Sequence, residues 1–285
     1  MKVVRDFPIS ALGVRDLYVW TPDEAPEGHP IPVVYMQDGQ NLFDPRQVPS
    51  GDSWGMDGCV SRLIDQGLEP VRIVGIASGA ERLRDYAPSA ILNGLSAETR
   101  ATVEAAFGGV SRSEAYANAV VQEVMPFIET AFPTSPGSAG AYLMGASLGG
   151  AISAEIYSRF PGRFAGVGCL SAHFSLLPLD ERAPPPAAFA QEVADAVGAV
   201  FRESFPKADG RRVWIDASEG SIDRFYGPSH AQIARALASL GYREGVDLAG
   251  GLYLGVGHDE AAWRARVGDA VLFLLTGKTM GASRG

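Results

Sequence analysis

Three serines, Ser53, Ser147 and Ser283, each stand at the centre of a Gly-x-Ser-x-Gly pattern. Such a serine can be a nucleophile when a strand runs into it and a helix starts directly behind it. The sharp turn presents the hydroxyl, and the helix N-terminus offers N–H groups to a developing oxyanion. Only Ser147 has that setting. The short apolar run "GAYLM" precedes it, and "SLGGAISAEIYSRF" follows, with Leu148, Ile152, Ile156 and Phe160 at a four-residue step. Ser53 follows "DPRQVPS", which cannot be a buried strand, and Ser283 has no room for a helix behind it.

A serine hydroxyl is a weak nucleophile and needs a neighbouring base, usually histidine. His29 precedes the serine in a Pro-flanked loop. His173 follows with no strand-end acid between, and His230 opens a helix. His258 comes straight after the apolar run "GGLYLGVG", at a strand's C-terminal end on the same sheet edge as Ser147. It is the candidate base, with a following helix that carries Trp263 to pin its loop. A buried carboxylate must orient it. In "RVWIDASEGSIDRFYGP" Asp216, Glu219 and Asp223 compete. Asp216 sits inside the strand's end, and spacing alone leaves Asp223 and Glu219 nearly level. The oxyanion donors are expected at the Leu148 N–H and in the turn "DGQN", where Gly39 permits the turn and Gln40 offers its N–H.

Placing these groups calls for a sheet. Strand-like runs are "RDLYVWT", "PVVYMQ", "VRIVGIA", "GAYLMG", "AGVGCLS", "RVWIDAS" and "GGLYLGVG". Their continuous apolarity predicts strands buried on both faces. Helix-like segments cover 57–67, 113–132, 147–160, 229–241 and 259–275. Alternation of the two predicts an α/β architecture, a mostly parallel sheet with helices on both faces. One domain is expected over 1–276, with a short tail at 277–285. The Pro-rich stretch 180–191 reads as a loop beside a pocket, and 92–112 as an excursion over the sheet.

A net charge of −9 and a pI near 5 argue against a nucleic-acid or anionic-membrane partner. Cys59 and Cys169 have no metal or redox spacing. The N-terminus lacks a signal-peptide pattern, and no apolar run could span a bilayer, so a cytoplasmic location is expected. The sequence assigns no oligomeric state.

The segments "VVYMQDGQNLFD", "SWGMD", "MGASLGG", "CLSAHF", "IDASEGSIDRFYGP" and "GHDEAAW" occur in that order across most of the chain. Together they resemble the putative-esterase group of α/β-hydrolases, which includes siderophore esterases, S-formylglutathione hydrolases, feruloyl and acetylxylan esterases and mycolyltransferases. The resemblance implies an α/β-hydrolase fold without a large separate lid. It implies a serine carboxylic-ester hydrolase acting through an acyl-enzyme on a small-molecule ester, with no metal or organic cofactor. An acyltransferase on the same residues, or a catalytically silent binding protein, are its alternatives. The resemblance favours Asp223 as the acid beside Ser147 and His258. Ser218, where the group has glycine, keeps Glu219 in play, and a Ser147–His258 dyad is also compatible. The "DGQ" turn resembles the mycolyltransferase oxyanion turn, which supports Gln40. Loops after strand ends nominate Asp38, Phe43, Trp54, His173, Phe174 and Phe225 for the pocket.

Overall fold

The computed structural model describes residues 1–177 and 183–280. Ser283, the end of the expected tail and residues 180–182 of the expected loop lie outside the described residues. Among the described residues eight strands form one sheet: β1 (Lys2–Ile9), β2 (Gly13–Trp20), β3 (Val33–Gln37), β4 (Arg72–Ile76), β5 (Ala141–Ala146), β6 (Gly166–Leu170), β7 (Arg212–Ser218) and β8 (Leu248–Tyr253). Their spatial order is β1-β2-β4-β3-β5-β6-β7-β8. The β1–β2 and β2–β4 pairs are antiparallel and all others parallel. The helices are α1 (Met56–Asp65), α2 (Arg82–Tyr86), α3 (Ser89–Leu92), α4 (Ala97–Ala106), α5 (Ser113–Ala119), α6 (Met125–Ala131), α7 (Leu148–Arg159), α8 (Ala187–Ser204), α9 (Gly227–Ser239), α10 (Glu260–Arg264) and α11 (Val267–Thr276).

Every residue of β3, β4, β5 and β6 is buried, as continuous apolar runs between two helical layers require. On one face Ile152, Ile156, Val197, Phe201 and Ile233, from α7, α8 and α9, join the core. On the other, Val60, Leu63, Trp263, Val271 and Leu274, from α1, α10 and α11, build a second cluster. Parallel register brings Gln37, Ala146, Leu170, Ser218 and Tyr253 to one edge, so the loops that follow them share a rim. Among the described residues no separate lid domain is present, and no helix is long and apolar enough to cross a membrane.

Four features depart from the sequence-based expectation. β1 lies in a stretch to which the apolar runs assign no element, because an edge strand pairing on one side tolerates the mixed pattern "KVVRDFPI" and a bulge at Asp6. β8 is not buried on both faces. It closes the sheet's other edge, leaves Leu252 60% exposed, and stops at Tyr253, five residues short of His258. The stretch 92–112 carries α4, with the Ser96 hydroxyl accepting from the Thr99 N–H at 3.3 Å. The stretch read as a loop from 180 to 191 gives way at Ala187 to the 18-residue helix α8. Pro184–Pro186 masks its start, since proline is compatible with a helix entrance as well as with a loop.

α8 is a core element, with Phe201 2% exposed, stacked on Phe205 at 4.6 Å and edge-on to Phe174 at 5.7 Å. Phe201→Ala is expected to lower the free energy of unfolding by about 3–4 kcal/mol. The exposed neighbour Arg202→Ala is expected to lower it by less than about 0.5 kcal/mol. Urea titrations of both variants measure the difference, and equal midpoints would contradict the packing described.

Candidate active site

Ser147 joins β5 to α7 with φ 55° and ψ −130°, a conformation that costs a non-glycine residue on the order of 1–3 kcal/mol. The surroundings hold it there. Its N–H donates to the Leu170 carbonyl at 3.0 Å, and its carbonyl accepts from Gly150 and His173 at 3.0 Å and from Ala151 at 3.2 Å. A Cβ on Gly145 would lie 2.4 Å from the Gly149 carbonyl oxygen. One on Gly149 would lie 3.1 Å from both Asp38 Oδ2 and Gln37 Cβ, and one on Gly150 2.9 Å from Ala172 Cβ. The turn strain thus falls on the serine itself, and the glycines serve close approach rather than the turn. Ser53, by contrast, is buried in a loop and donates to the Phe43 carbonyl at 3.2 Å.

His258 reaches this serine from the loop after β8. Its Nε2 lies 2.9 Å from Ser147 Oγ, and its Nδ1 lies 2.5 Å from Asp223 Oδ1. The carboxylate only accepts, so Nδ1 carries the hydrogen and Nε2 presents its lone pair to the hydroxyl. Trp263 packs edge-on to the imidazole at 5.1 Å, and Tyr226 at 6.2 Å. Asp223 sits in the short 3-10 turn Ser221–Phe225 and is 2% exposed. Its Oδ2 accepts from the Ser218 N–H at 2.8 Å and the Ser218 hydroxyl at 3.0 Å. Burial by itself would lift this carboxyl, but hydrogen bonds from His258, Ser171 and Ser218 outweigh it and hold the group below the ordinary carboxylate range. The acid and base loops touch: a Cβ on Gly220 would fall 2.3 Å from the Val256 carbonyl oxygen.

The two competing acids face elsewhere. Glu219 has an exposed side chain, while its N–H donates to Tyr253. Asp216 is fully buried among the Ser171 N–H (2.9 Å), Trp214 Nε1 (2.7 Å) and Arg266 Nε (3.2 Å). Ser218, which departs from the glycine of the resembling group, turns out to donate twice to Asp223.

Leu148 opens α7 and Gln40 lies in the 3-10 turn Gly39–Asn41. Among the described residues neither N–H has a backbone acceptor. The residue with positive φ in this turn is Asp38 (φ 55°, ψ 49°), not Gly39. Gly39 is required because its Cβ would stand 2.4 Å from the Gly75 carbonyl carbon.

A cavity of about 570 Å³ opens over Ser147 and His258. Asp38, Gln40 and Trp54 line it as expected from their loops, together with Asn41, Gln47, Ser50, Arg82, Glu260 and Trp263. Those last six were missed as wall residues. Arg82 had a usable signal, since it follows the end of β4 on the same rim. Phe43, His173, Phe174 and Phe225 do not line this cavity. Phe43 packs against the second core cluster, Phe174 is 1% exposed against Phe201, and the Phe225 ring lies under Arg224 at 4.9 Å. His173 is a buried strut. Its Nε2–H donates to the Leu177 carbonyl at 2.7 Å, and its Nδ1 accepts from the Tyr226 hydroxyl at 2.6 Å. A larger apolar crevice, about 740 Å³, runs between α9 and β7–β8 behind Asp223 and does not include Ser147 or His258. Among the described residues no group of three or more His, Cys, Asp or Glu could hold a metal ion.

A family model described as Putative esterase matches residues 13–274. No curated protein matches the chain in sequence. Among solved structures, the enterobactin esterase of Shigella flexneri is similar with a TM-score of 0.64 and 18% identity, covering 96% of this chain and 58% of that one. This chain thus spans little more than half of that esterase. An IroE-like serine hydrolase from Shewanella oneidensis is similar with a TM-score of 0.60 and 17% identity, over 94% of this chain and 77% of that one. A ferulic acid esterase is similar with a TM-score of 0.63 and 17% identity, over 96% and 97%. At these identities the likeness shows the α/β-hydrolase fold.

Burial, with the nearby His258, pushes His173 down from 6.5 to about 4. The unfolded chain takes up the proton near pH 6.5, whereas the folded protein refuses it until about pH 4. The stability from the neutral ring is therefore whole above pH 6.5 and erodes as the pH falls towards 4, by about 3 kcal/mol in all. His173→Gln keeps one donor and one acceptor but cannot titrate. Denaturant titrations from pH 7 to pH 4 are expected to show a shallower loss in that variant, and a slope equal to that of the parent would refute the assignment.

Proposed function

This chain belongs to the Putative esterase family, a carboxylic-ester hydrolase family, and we propose that it cleaves small-molecule esters through an acyl-enzyme on Ser147. The observation that carries this reading is the unbroken line from Ser147 Oγ through His258 to Asp223, at 2.9 Å and 2.5 Å, beneath an open cavity. Ser147 Oγ attacks the ester carbonyl carbon while His258 Nε2 takes its proton. The carbonyl oxygen gains negative charge between the Leu148 and Gln40 N–H groups, each worth about 3 kcal/mol to the transition state. His258 then returns the proton to the departing alkoxide, and the acyl group stays on Ser147. Water, deprotonated by the same imidazole, attacks the acyl carbon and frees the acid. Asp223 remains ionised throughout, keeping the imidazole tautomer and stabilising the imidazolium.

The strained serine supports the same reading. A backbone conformation this costly persists where the surroundings over-determine it, and such sites cluster at active centres. The neighbouring folds named for enterobactin and ferulic acid motivate an ester panel that includes a feruloyl ester and a cyclic siderophore trimer.

Ser147→Ala is expected to lower kcat on p-nitrophenyl acetate by at least about 10⁴-fold, with the thermal midpoint retained. Asp223→Asn is expected to lose about 10⁴-fold through the wrong imidazole tautomer. Steady-state kinetics on folded variants measure both, and a Ser147→Ala protein that keeps its turnover would end the proposal.

A further inference from the structure

The turn that carries Gln40 is gripped by residues the reaction does not use. Asp38 is a buried non-glycine residue in the left-handed region. Its carboxylate is forked by Arg82, Nε to Oδ1 at 2.6 Å and Nη2 to Oδ2 at 2.7 Å. Its own N–H donates to the Tyr86 hydroxyl at 3.3 Å, and the Arg82 guanidinium lies over the Tyr86 ring at 5.0 Å. The five-residue helix α2 therefore holds Asp38 at both its backbone and its side chain. α2 is itself anchored, because Asp85 pairs with Arg15 at 2.7 Å and with Arg112 at 3.2 Å. On the other side of the turn, both ends of the Gln40 side-chain amide bond one partner. Its Nε2 donates to Ser78 Oγ at 3.0 Å and its Oε1 accepts from the Ser78 N–H at 3.1 Å. Gly39 rests on Gly75 below. Among the described residues the Gln40 backbone N–H has no backbone acceptor, while the Asp38 and Gln40 side chains on either side of it are held.

We propose that the Arg82–Asp38 fork, backed by Ser78 on Gln40, fixes the Gln40 N–H at the oxyanion position, so that Arg82 is a positioning residue acting through Asp38. This rests on the serine-esterase reading above. Arg82 lines the cavity and invites a second role, as an anchor for an anionic substrate. The geometry speaks for positioning. Two of its three nitrogens already meet both Asp38 oxygens, so its charge is neutralised in place. A guanidinium fork sets an angle as well as a charge, which a lysine ammonium cannot reproduce.

The test compares Arg82→Lys, Arg82→Gln, Ser78→Ala and the parent on neutral p-nitrophenyl acetate and on anionic mono-p-nitrophenyl succinate. A trifluoromethyl ketone that forms a tetrahedral adduct on Ser147 is bound in parallel. Arg82→Lys is expected to lose about 10²-fold in kcat on both esters, with KM within about twofold and ketone affinity falling in proportion to kcat/KM. Ser78→Ala is expected to lose about tenfold in kcat. A folded Arg82→Lys with parental kcat overturns the proposal, as does a loss confined to KM for the succinate ester. If the Arg82 variants fail to fold, Ser78→Ala and Gln40→Ala decide, since both leave the ion pair and the Gln40 N–H in place, and parental kcat in both overturns it. Inactive Ser147→Ala beside active Arg82→Lys removes the clamp alone. Active Ser147→Ala removes the esterase reading beneath it.

Discussion

A serine held at φ 55° and ψ −130° is the constraint from which the rest of the site follows. Left to itself the backbone would relax into an ordinary region. It is kept from doing so by three hydrogen bonds to its carbonyl, one from its N–H, and the absence of side chains at Gly145, Gly149 and Gly150. Those absences let α7 descend onto β5 and let the turn after β3 close over the start of the helix. One local cost thereby sets several distances: hydroxyl to imidazole, helix N–H to cavity, and the approach of Asp38 to Gly149. A larger residue at position 149 would meet Asp38 and Gln37 before it disturbed the serine. Ser147 and the turn that carries Gln40 are thus parts of one packing problem.

Electrostatics at the other end of the relay obeys a similar economy. A carboxylate that is 2% exposed is costly unless each lone pair is met. Asp223 meets that demand with His258 on one oxygen and both the N–H and the hydroxyl of Ser218 on the other. A glycine at 218 would supply only the N–H. The serine there is therefore a second route to the same end, an ionised acid in a dry setting. Asp216, two residues before Ser218 on β7, is satisfied by Arg266, Trp214 and Ser171. It braces the loop bases without touching the imidazole.

How far the sequence could be read follows from the range of the forces involved. β3 to β7 were legible because burial on both faces writes an unbroken apolar run. β1 was not, because an edge strand needs to satisfy only one neighbour. α8 was hidden by Pro184–Pro186, which suit a loop and a helix entrance equally. Ser147 and His258 were legible because strand ends in a parallel sheet collect on one rim. The choice between Asp223 and Glu219 was not decided by spacing, since a 3-10 turn aims the first inward while the second stays exposed. Arg82 and Glu260 escaped because their meaning lies in distant partners. Arg82 meets Asp38 across 44 positions, and Glu260 accepts from Asn41 across 219.

The histidine that does not line the cavity helps to explain the one that does. His173 lies on the same rim, two residues past Ser171, and its N–H is bonded to the Ser147 carbonyl. A second cation there would repel the imidazolium that the proposed acyl transfer calls for at His258. Burial removes that conflict by keeping His173 neutral down to about pH 4, and its tautomer is set by Leu177 on one side and Tyr226 on the other. Tyr226 in turn donates its N–H to the Asp223 carbonyl at 2.8 Å and stands edge-on to the His258 ring. The strut thereby couples the serine's backbone to the acid's backbone through two side chains, of which His173 stays neutral down to about pH 4. In the proposed reaction the strut that holds these parts together adds no competing charge beside His258.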